Sequence, residues 1–248
     1  KNPLILAYKK KRKDILKLLL ESGLDPSLKN DQNISLNFLV IQEKNYDVLD
    51  LLLQMKVSFN EKYIFKDFSF DMENFECTAL LYAMQQKDHK IVEKIITAGH
   101  HDLSIQHIGF CNDIDYYSYA LWQGQLKWMT ALEKKSKTSL PHNKVNPLRV
   151  ACQRNHQELI NFFSRDKKLL NLLDDSEDLP LELAIKDERC KLVDFLLRQG
   201  ALLSKTEGNY LEFALQQKNK RLFKILWEAA SEENLLQGKK GIQEISKL

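Results

Sequence analysis

Asn146-Pro147-Leu148-Arg149-Val150-Ala151 is a phrase that this sequence repeats. Asn2-Pro3-Leu4-Ile5-Leu6-Ala7 and Leu179-Pro180-Leu181-Glu182-Leu183-Ala184 share its frame. Thr78-Ala79-Leu80-Leu81-Tyr82-Ala83 and Asn209-Tyr210-Leu211-Glu212-Phe213-Ala214 keep the frame without the proline. About eight residues past each Ala comes an apolar pair: Ile15-Leu16, Ile91-Val92, Leu159-Ile160, Leu192-Val193 and Leu222-Phe223. Weaker copies open at Ser35, running through Leu51-Leu52-Leu53, and at Asp115, with Ala120 and Trp128-Met129. Starts at 2, 35, 78, 115, 146, 179 and 209 give steps of 33, 43, 37, 31, 33 and 30 residues. A repeat of this length is one supersecondary unit stacked many times.

The chemistry of each part predicts a helix pair. Proline suits the first turn of a helix, where its missing N–H is no loss. The small residue at one register position (Ala7, Ala83, Ala120, Ala151, Ala184, Ala214) lets neighbouring helices approach closely. Leu192, Phe195 and Leu196 have the spacing of one buried stripe on a second helix. Gly23, Gly99 and Gly200 suit the left-handed position that ends a helix. No unit buries its own stripe, and stacking them makes one core. The expected fold is therefore all-α, one elongated solenoid of about seven helix-turn-helix units over 1–230. Residues 231–248 read as a C-terminal cap or linker. Scarce Gly and Pro, eight and five in 248 residues, agree with helices on short connections.

A period near 33 with x-P-L-x-x-A opening each unit resembles the ankyrin repeat, written T-P-L-H-x-A. The likeness spans nearly the whole chain. It departs from the pattern in never carrying the His of T-P-L-H, and in placing Lys11, Lys44 and Asn155 at usual loop-Gly positions. His156 falls where such repeats carry the His of a Gly-His pair, a structural residue bonding the neighbouring loop, with His89 and Asn45 near comparable positions. The tetratricopeptide period is close, but its Trp/Gly/Tyr pattern is absent.

The resemblance implies a non-enzymatic scaffold that binds another protein through a concave face of finger loops and first helices. By register the outward first-helix pairs are Lys9-Lys10, Gln42-Glu43, Gln85-Gln86, Trp122-Gln123, Gln153-Arg154, Lys186-Asp187 and Gln216-Gln217. Finger residues include Gln32, Ile34, Asn143, Val145, Ser176, Asp178, Lys205 and Thr206. The face is amide-rich, basic at its start and acidic near the sixth copy, which suits a protein of mixed charge and not a nucleic-acid stripe. No cofactor and no small-molecule substrate are expected.

Composition excludes several classes. With 37 Lys+Arg against 34 Asp+Glu, the net charge of +3 gives no strong whole-chain field. No apolar run approaches the roughly 18 residues of a membrane span, so no membrane insertion is expected. Four cysteines (Cys77, Cys111, Cys152, Cys190) without a CxxC read as a reduced, intracellular protein. GxSxG, GxGxxG, HExxH and P-loop motifs are absent. Cys152 and His156 are four apart, but the register puts a turn at His156 and Cys152 in the core. His100, His101, His107 and Cys111 fit no standard zinc spacing.

Four segments stand outside the repeat. Glu61 to Cys77 is an insertion holding Tyr63, Phe65, Phe68, Phe70 and Phe75. Its aromatics either fold back on the solenoid or form a partner-binding knob with Phe65 and Phe68 as anchors. The copy-four aromatics Tyr116, Tyr117, Tyr119, Trp122 and Trp128 read mostly as packing. Asp174-Asp175-Ser176-Glu177-Asp178 reads as an outward acidic finger. Lys9-Lys10-Lys11-Arg12-Lys13 is a solvated tip, an anchor for an acidic partner, or a nuclear or nucleic-acid patch. The chain opens on Lys1 rather than Met, which suggests a trimmed piece, so a targeting role beside a separate catalytic domain stays open. Abundant Lys, Asn, Ile and Leu with little Gly look like the degenerate arrays of effectors that intracellular bacteria deliver into a host cytosol.

Overall fold

The computed structural model describes residues 2–31, 34–65, 75–99, 102–103, 115–135, 145–175, 178–203 and 209–245, with side chains omitted at 64–65, 75–77 and 233–245. The elements are α1 (Pro3–Lys9), α2 (Lys13–Glu21), α3 (Leu36–Gln42), α4 (Tyr46–Gln54), β1 (Lys62–Phe65), β2 (Phe75–Thr78), α5 (Ala79–Gln85), α6 (His89–Ala98), α7 (Tyr116–Trp122), α8 (Leu126–Lys135), α9 (Pro147–Arg154), α10 (Gln157–Phe163), α11 (Lys167–Leu170), α12 (Pro180–Lys186), α13 (Cys190–Gln199), α14 (Tyr210–Gln216) and α15 (Lys220–Ile245). Seven short first helices, each followed by a second, account for all but β1, β2 and α11. The chain forms two compact units, Lys1–Ala120 with Lys127–Leu140, and Leu121–Leu126 with Pro141–Leu248.

Every expected repeat start is a helix cap. Asn2, Ser35, Thr78, Asn146 and Asn209 accept backbone N–H groups of their own first turns through their side chains. Asp115 does the same for the Ser118 N–H at 2.6 Å. Leu179 has no such oxygen, and the Glu182 carboxylate instead accepts the Leu179 N–H at 3.0 Å. Pro3, Pro147 and Pro180 open their helices, as their fixed φ predicts.

Each first helix ends in one motif. Nine residues after the cap the backbone turns left-handed, at Lys11, Lys44, Lys87, Gly124, Asn155, Glu188 and Lys218. The N–H of that residue bonds back to the carbonyl of Tyr8, Ile41, Met84, Leu121, Cys152, Ile185 and Leu215 in turn. At six of these turns the next N–H reaches one residue further back, as in Arg12 to Ala7 (3.0 Å), Asp88 to Ala83 (3.1 Å) and Arg189 to Ala184 (2.9 Å). These paired bonds satisfy carbonyls that a helix end would otherwise orphan. A left-handed non-glycine residue costs about 1–2 kcal/mol, and six of the seven turns carry one. Gly124 is the exception with a second reason: a Cβ there would lie 2.6 Å from the His156 ring.

Outside the fourth pair, the residue whose carbonyl takes the longer bond is also the close-approach position. Ala7, Ala83, Ala120, Ala151, Ala184 and Ala214 are all buried, and Val40 is its counterpart in the second pair. On α13, Leu192, Val193 and Leu196 are buried while Phe195 is half-buried, so the stripe sits one residue from the expected centre. Tyr116, Tyr117, Tyr119 and Trp128 are buried, as packing requires. The expected boundary at 231 falls inside α15, which is 26 residues long.

The all-α array carries one short hairpin, at the insertion. β1 and β2 form an antiparallel hairpin pairing Lys62 with Thr78 and Phe65 with Phe75. It is held by Tyr63, whose ring lies 4.7 Å from that of Phe38. Tyr63 donates its hydroxyl proton to Glu61 at 2.8 Å and also bonds Ser35. The Asn37 amide donates to Glu61 (2.8 Å) and to the Ser58 carbonyl (2.9 Å). For Tyr63 the folded-back reading is correct. Phe68 and Phe70 lie outside the described residues, as do the side chains of Phe65 and Phe75.

Two measurements test this account. Lys87→Gly should raise stability in urea unfolding by about 1 kcal/mol, because glycine relieves the left-handed strain at the expense of some chain entropy. Burial raises the Glu61 carboxyl above its ordinary value, against the lowering effect of its Tyr63 and Asn37 bonds. A raised acid contributes stability that is complete below its unfolded value and lost as pH rises through the folded one. The stability difference between wild type and Glu61→Gln should therefore shift in favour of wild type as pH falls below neutral. A pH-independent difference would contradict it.

Candidate functional site

In each first helix the chain passes from core to solvent within one residue. Tyr8, Ile41, Met84, Leu121, Cys152 and Ile185 are buried, and the two residues after each reach the surface. Lys9, Lys10, Gln42, Glu43, Gln86, Gln153, Arg154, Lys186, Asp187, Gln216 and Gln217 are exposed, while Gln85, Trp122 and Gln123 are half-buried. The expected outward pairs thus sit at the carboxyl ends of their helices, carried by the motif that reverses the chain.

Neighbouring pairs are tied at these ends. In the first unit the Tyr8 hydroxyl donates to Glu43 at 2.8 Å, and burial with that carboxylate pushes the phenol up to about 12. Tyr46 donates to Asp88 at 3.1 Å, and the Lys44 ammonium lies 3.6 Å from the same buried carboxylate. In the second unit His156 bonds the Trp122 carbonyl at 2.9 Å. Arg189 donates to the Cys152 carbonyl and to Asn155, and Asn219 donates to Glu188 at 2.8 Å. Asp88, His156, Arg189 and Asn219 occupy one register position, the residue after the left-handed turn. His156 is the structural residue expected of it. Asn45 sits at that position and caps α4. His89 does not: it is one residue late, with its ring 5.0 Å from that of Trp128.

The second unit brings two expected site residues together. The Arg154 guanidinium lies 4.1 Å from the Trp122 ring centroid. An exposed cation over an indole is worth roughly 0.5–1 kcal/mol and presets both side chains. Behind this stack Cys152 is fully buried, and desolvation pushes its thiol up to about 12. A thiol so far from ionisation is packing, since the thiolate is the reactive form.

The acidic finger corrects the sequence reading. Asp174 does not point outward: its side chain is 2% exposed, and it pairs with the Arg149 Nε at 2.8 Å. It also accepts the Asn146 N–H at 2.7 Å, fastening the finger to the cap of α9. Asp178 pairs with Lys186 at 2.6 Å, so this finger does carry an expected site residue. Ser176, Glu177, Gln32, Asn143, Lys205 and Thr206 lie outside the described residues, as do Phe68, His100, His101, His107 and Cys111. Among the described residues no group of three His, Cys, Asp or Glu is placed to hold a metal ion.

The crystal structure of an ankyrin repeat protein superposes on this chain with a TM-score of 0.55, covering 77% of this chain and 95% of that one at 18% identity. The fold is the ankyrin-repeat fold. An ankyrin repeat domain from Acinetobacter baumannii AYE aligns equally, at TM-score 0.55 and 19% identity, over 78% of this chain and 97% of that domain. No family profile matches the sequence. No curated protein matches it either. Identities this low explain why the ankyrin pattern shows through only at caps, close-approach alanines and turns.

Sequence reasoning passed over Arg149 and Arg189, both central to the second unit. Arg189 was legible in principle, because it holds the register position of His156. Arg149 was not, since its partner lies 25 residues on in a finger of unassigned path. Replacing Asp174 with Ala should cost about 3 kcal/mol in chemical denaturation, the range for breaking a buried pair by removing one partner. A change below about 1 kcal/mol, the ceiling for a surface pair, would contradict its burial.

Proposed function

We propose that the chain is a non-enzymatic scaffold that binds a partner protein through the exposed ends of its first helices and the adjoining fingers. The observation that supports this most is the Trp122–Arg154 stack. It presents a half-buried aromatic and an exposed guanidinium side by side, the residue types that most often anchor protein interfaces. Around it the surface is amide-rich and mixed in charge, with Gln123, Gln153, Lys186 and Asp187. On the first unit Gln42, Glu43, Gln85 and Gln86 offer a second stretch of the same kind. The ankyrin fold adds support, since it is used generally for protein binding. The Lys-, Asn-, Ile- and Leu-rich composition supports a bacterial effector acting on a host protein.

The test is affinity capture from eukaryotic lysate, read by mass spectrometry, with wild type and two variants. One carries Trp122→Ala with Arg154→Ala, the other Gln85→Ala with Gln86→Ala. A protein retained by wild type and lost by the first variant, with unchanged circular dichroism, is the expected result. Loss only in the second variant would move the site to the first unit. Equal capture by all three would remove the first-helix ends from the interface.

A further inference from the structure

The second unit contains a recess of about 530 Å³ between its fifth and sixth helix pairs. Asn155 and Gln157 line it from one pair, and Arg189, Lys191, Leu192 and Phe195 from the next. The recess is internal to the stack. On one side His156 ties the fifth pair to the Trp122 carbonyl, and on the other α15 packs on α13.

Its charges are unanswered. Arg189 donates to the Cys152 carbonyl and to Asn155 Oδ1. These two bonds fix the guanidinium and leave its other donors open. Asn155 accepts there through its oxygen, so its amide N–H groups stay unused among the described residues. Lys191 is exposed and makes no ion pair among the described residues. No Asp or Glu among the described residues lines the recess. The acids close by in the chain are engaged elsewhere: Glu188 accepts the Asn219 amide at 2.8 Å, and Asp194 pairs with Arg198 at 3.1 Å.

The same register positions are compensated in the first unit. Asp47 stands three residues past its left-handed turn, as Lys191 does. It brings a carboxylate into the recess of Lys11, Arg12 and Lys13, which is smaller, at about 220 Å³. In the third pair Lys90 holds that position, and its ammonium lies 4.2 Å from the centroid of the Tyr46 ring. Asp88, at the position of Arg189, has Lys44 at 3.6 Å. Between the fifth and sixth pairs two cations face open space instead.

We propose that this recess binds a phosphate monoester, with Lys191, the open donors of Arg189 and the Asn155 amide on its oxygens. A phosphate monoester carries close to two negative charges at neutral pH and three acceptor oxygens. That matches two cations and a neutral amide, whereas a carboxylate brings one charge and two oxygens. Arginine clusters read phosphorylated groups in just this way. The volume falls within the roughly 300–1,000 Å³ of small-ligand sites, so there is room for the ester's organic group. Half-buried Phe195 and buried Leu192 give it an apolar wall. The ester is either a phosphorylated side chain or a free phosphorylated metabolite.

The experiment is titration calorimetry of the whole chain with phenyl phosphate, with benzoate, and with the peptide Gly-Gly-phosphoserine-Gly-Gly and its unphosphorylated form. Both phosphorylated probes should bind at one site, and the other two should not. Tighter binding of the peptide supports a protein-borne phosphate, and tighter binding of phenyl phosphate a free ester. Lys191→Gln should weaken binding about tenfold, as expected for losing one hydrogen bond to a charged group. Lys191→Asp, which installs the second pair's residue, should abolish it. Lys191 is exposed, and unchanged thermal unfolding will confirm that both variants fold. Trp122→Ala with Arg154→Ala should bind like wild type, which separates this site from the proposed protein interface. Absence of binding by either phosphorylated probe, equal binding of benzoate, or an unaffected Lys191→Gln overturns the proposal. So does loss of binding in Lys9→Gln with Lys10→Gln and Lys13→Gln, which would move the site to the first unit.

Discussion

The structure depends on reversing the chain within a single residue. A first helix of seven or eight residues is too short to persist alone in water. It survives because its far end is closed by two backbone bonds around a left-handed residue, which hand the chain directly to the second helix. The longer bond ends on the carbonyl of the small residue that neighbouring helices pack against. Backbone closure and close packing therefore meet at one place, at Ala7, Ala83, Ala151, Ala184 and Ala214. That is why the alanine is the most regular letter of the repeat.

The residue after the turn does a second task. Asp88, His156, Arg189 and Asn219 differ in charge, shape and hydrogen-bonding sense, yet each reaches the turn of the preceding pair. The need at that position is geometric: a polar group of sufficient reach, aimed at a neighbouring turn. Any of four side chains meets it. Where the tie is made to a backbone carbonyl, as by His156 and Arg189, it also fixes the chain that carries Trp122 and Cys152. The exposed ends of the first helices inherit their rigidity from these bonds.

This explains what the sequence made legible. Caps, the close-approach alanine and the buried pair eight residues on each obey one local rule, so they were readable at 2, 35, 78, 115, 146, 179 and 209. The left-handed turns were readable as places where glycine was missing, at Lys11, Lys44 and Asn155. What escaped was anything set by a distant partner. Asp174 reads as one member of an acidic run, and only the Arg149 guanidinium against it shows why its side chain is covered. The β1–β2 hairpin escaped because its anchor, Tyr63, is one aromatic among five in the insertion, and Ser35 and Phe38 select it. His89 stands one residue past the tie position, with its ring against Trp128.

The spacing from cap to turn is nine residues in all seven pairs, while the spacing between caps runs from 30 to 43. Length variation lies beyond the turn, in the second helices and the segments between one pair and the next. A lineage carrying this gene can therefore lengthen or shorten a finger by insertion or deletion and leave every cap, alanine and turn in place. Foldability is thereby insulated from changes in finger length.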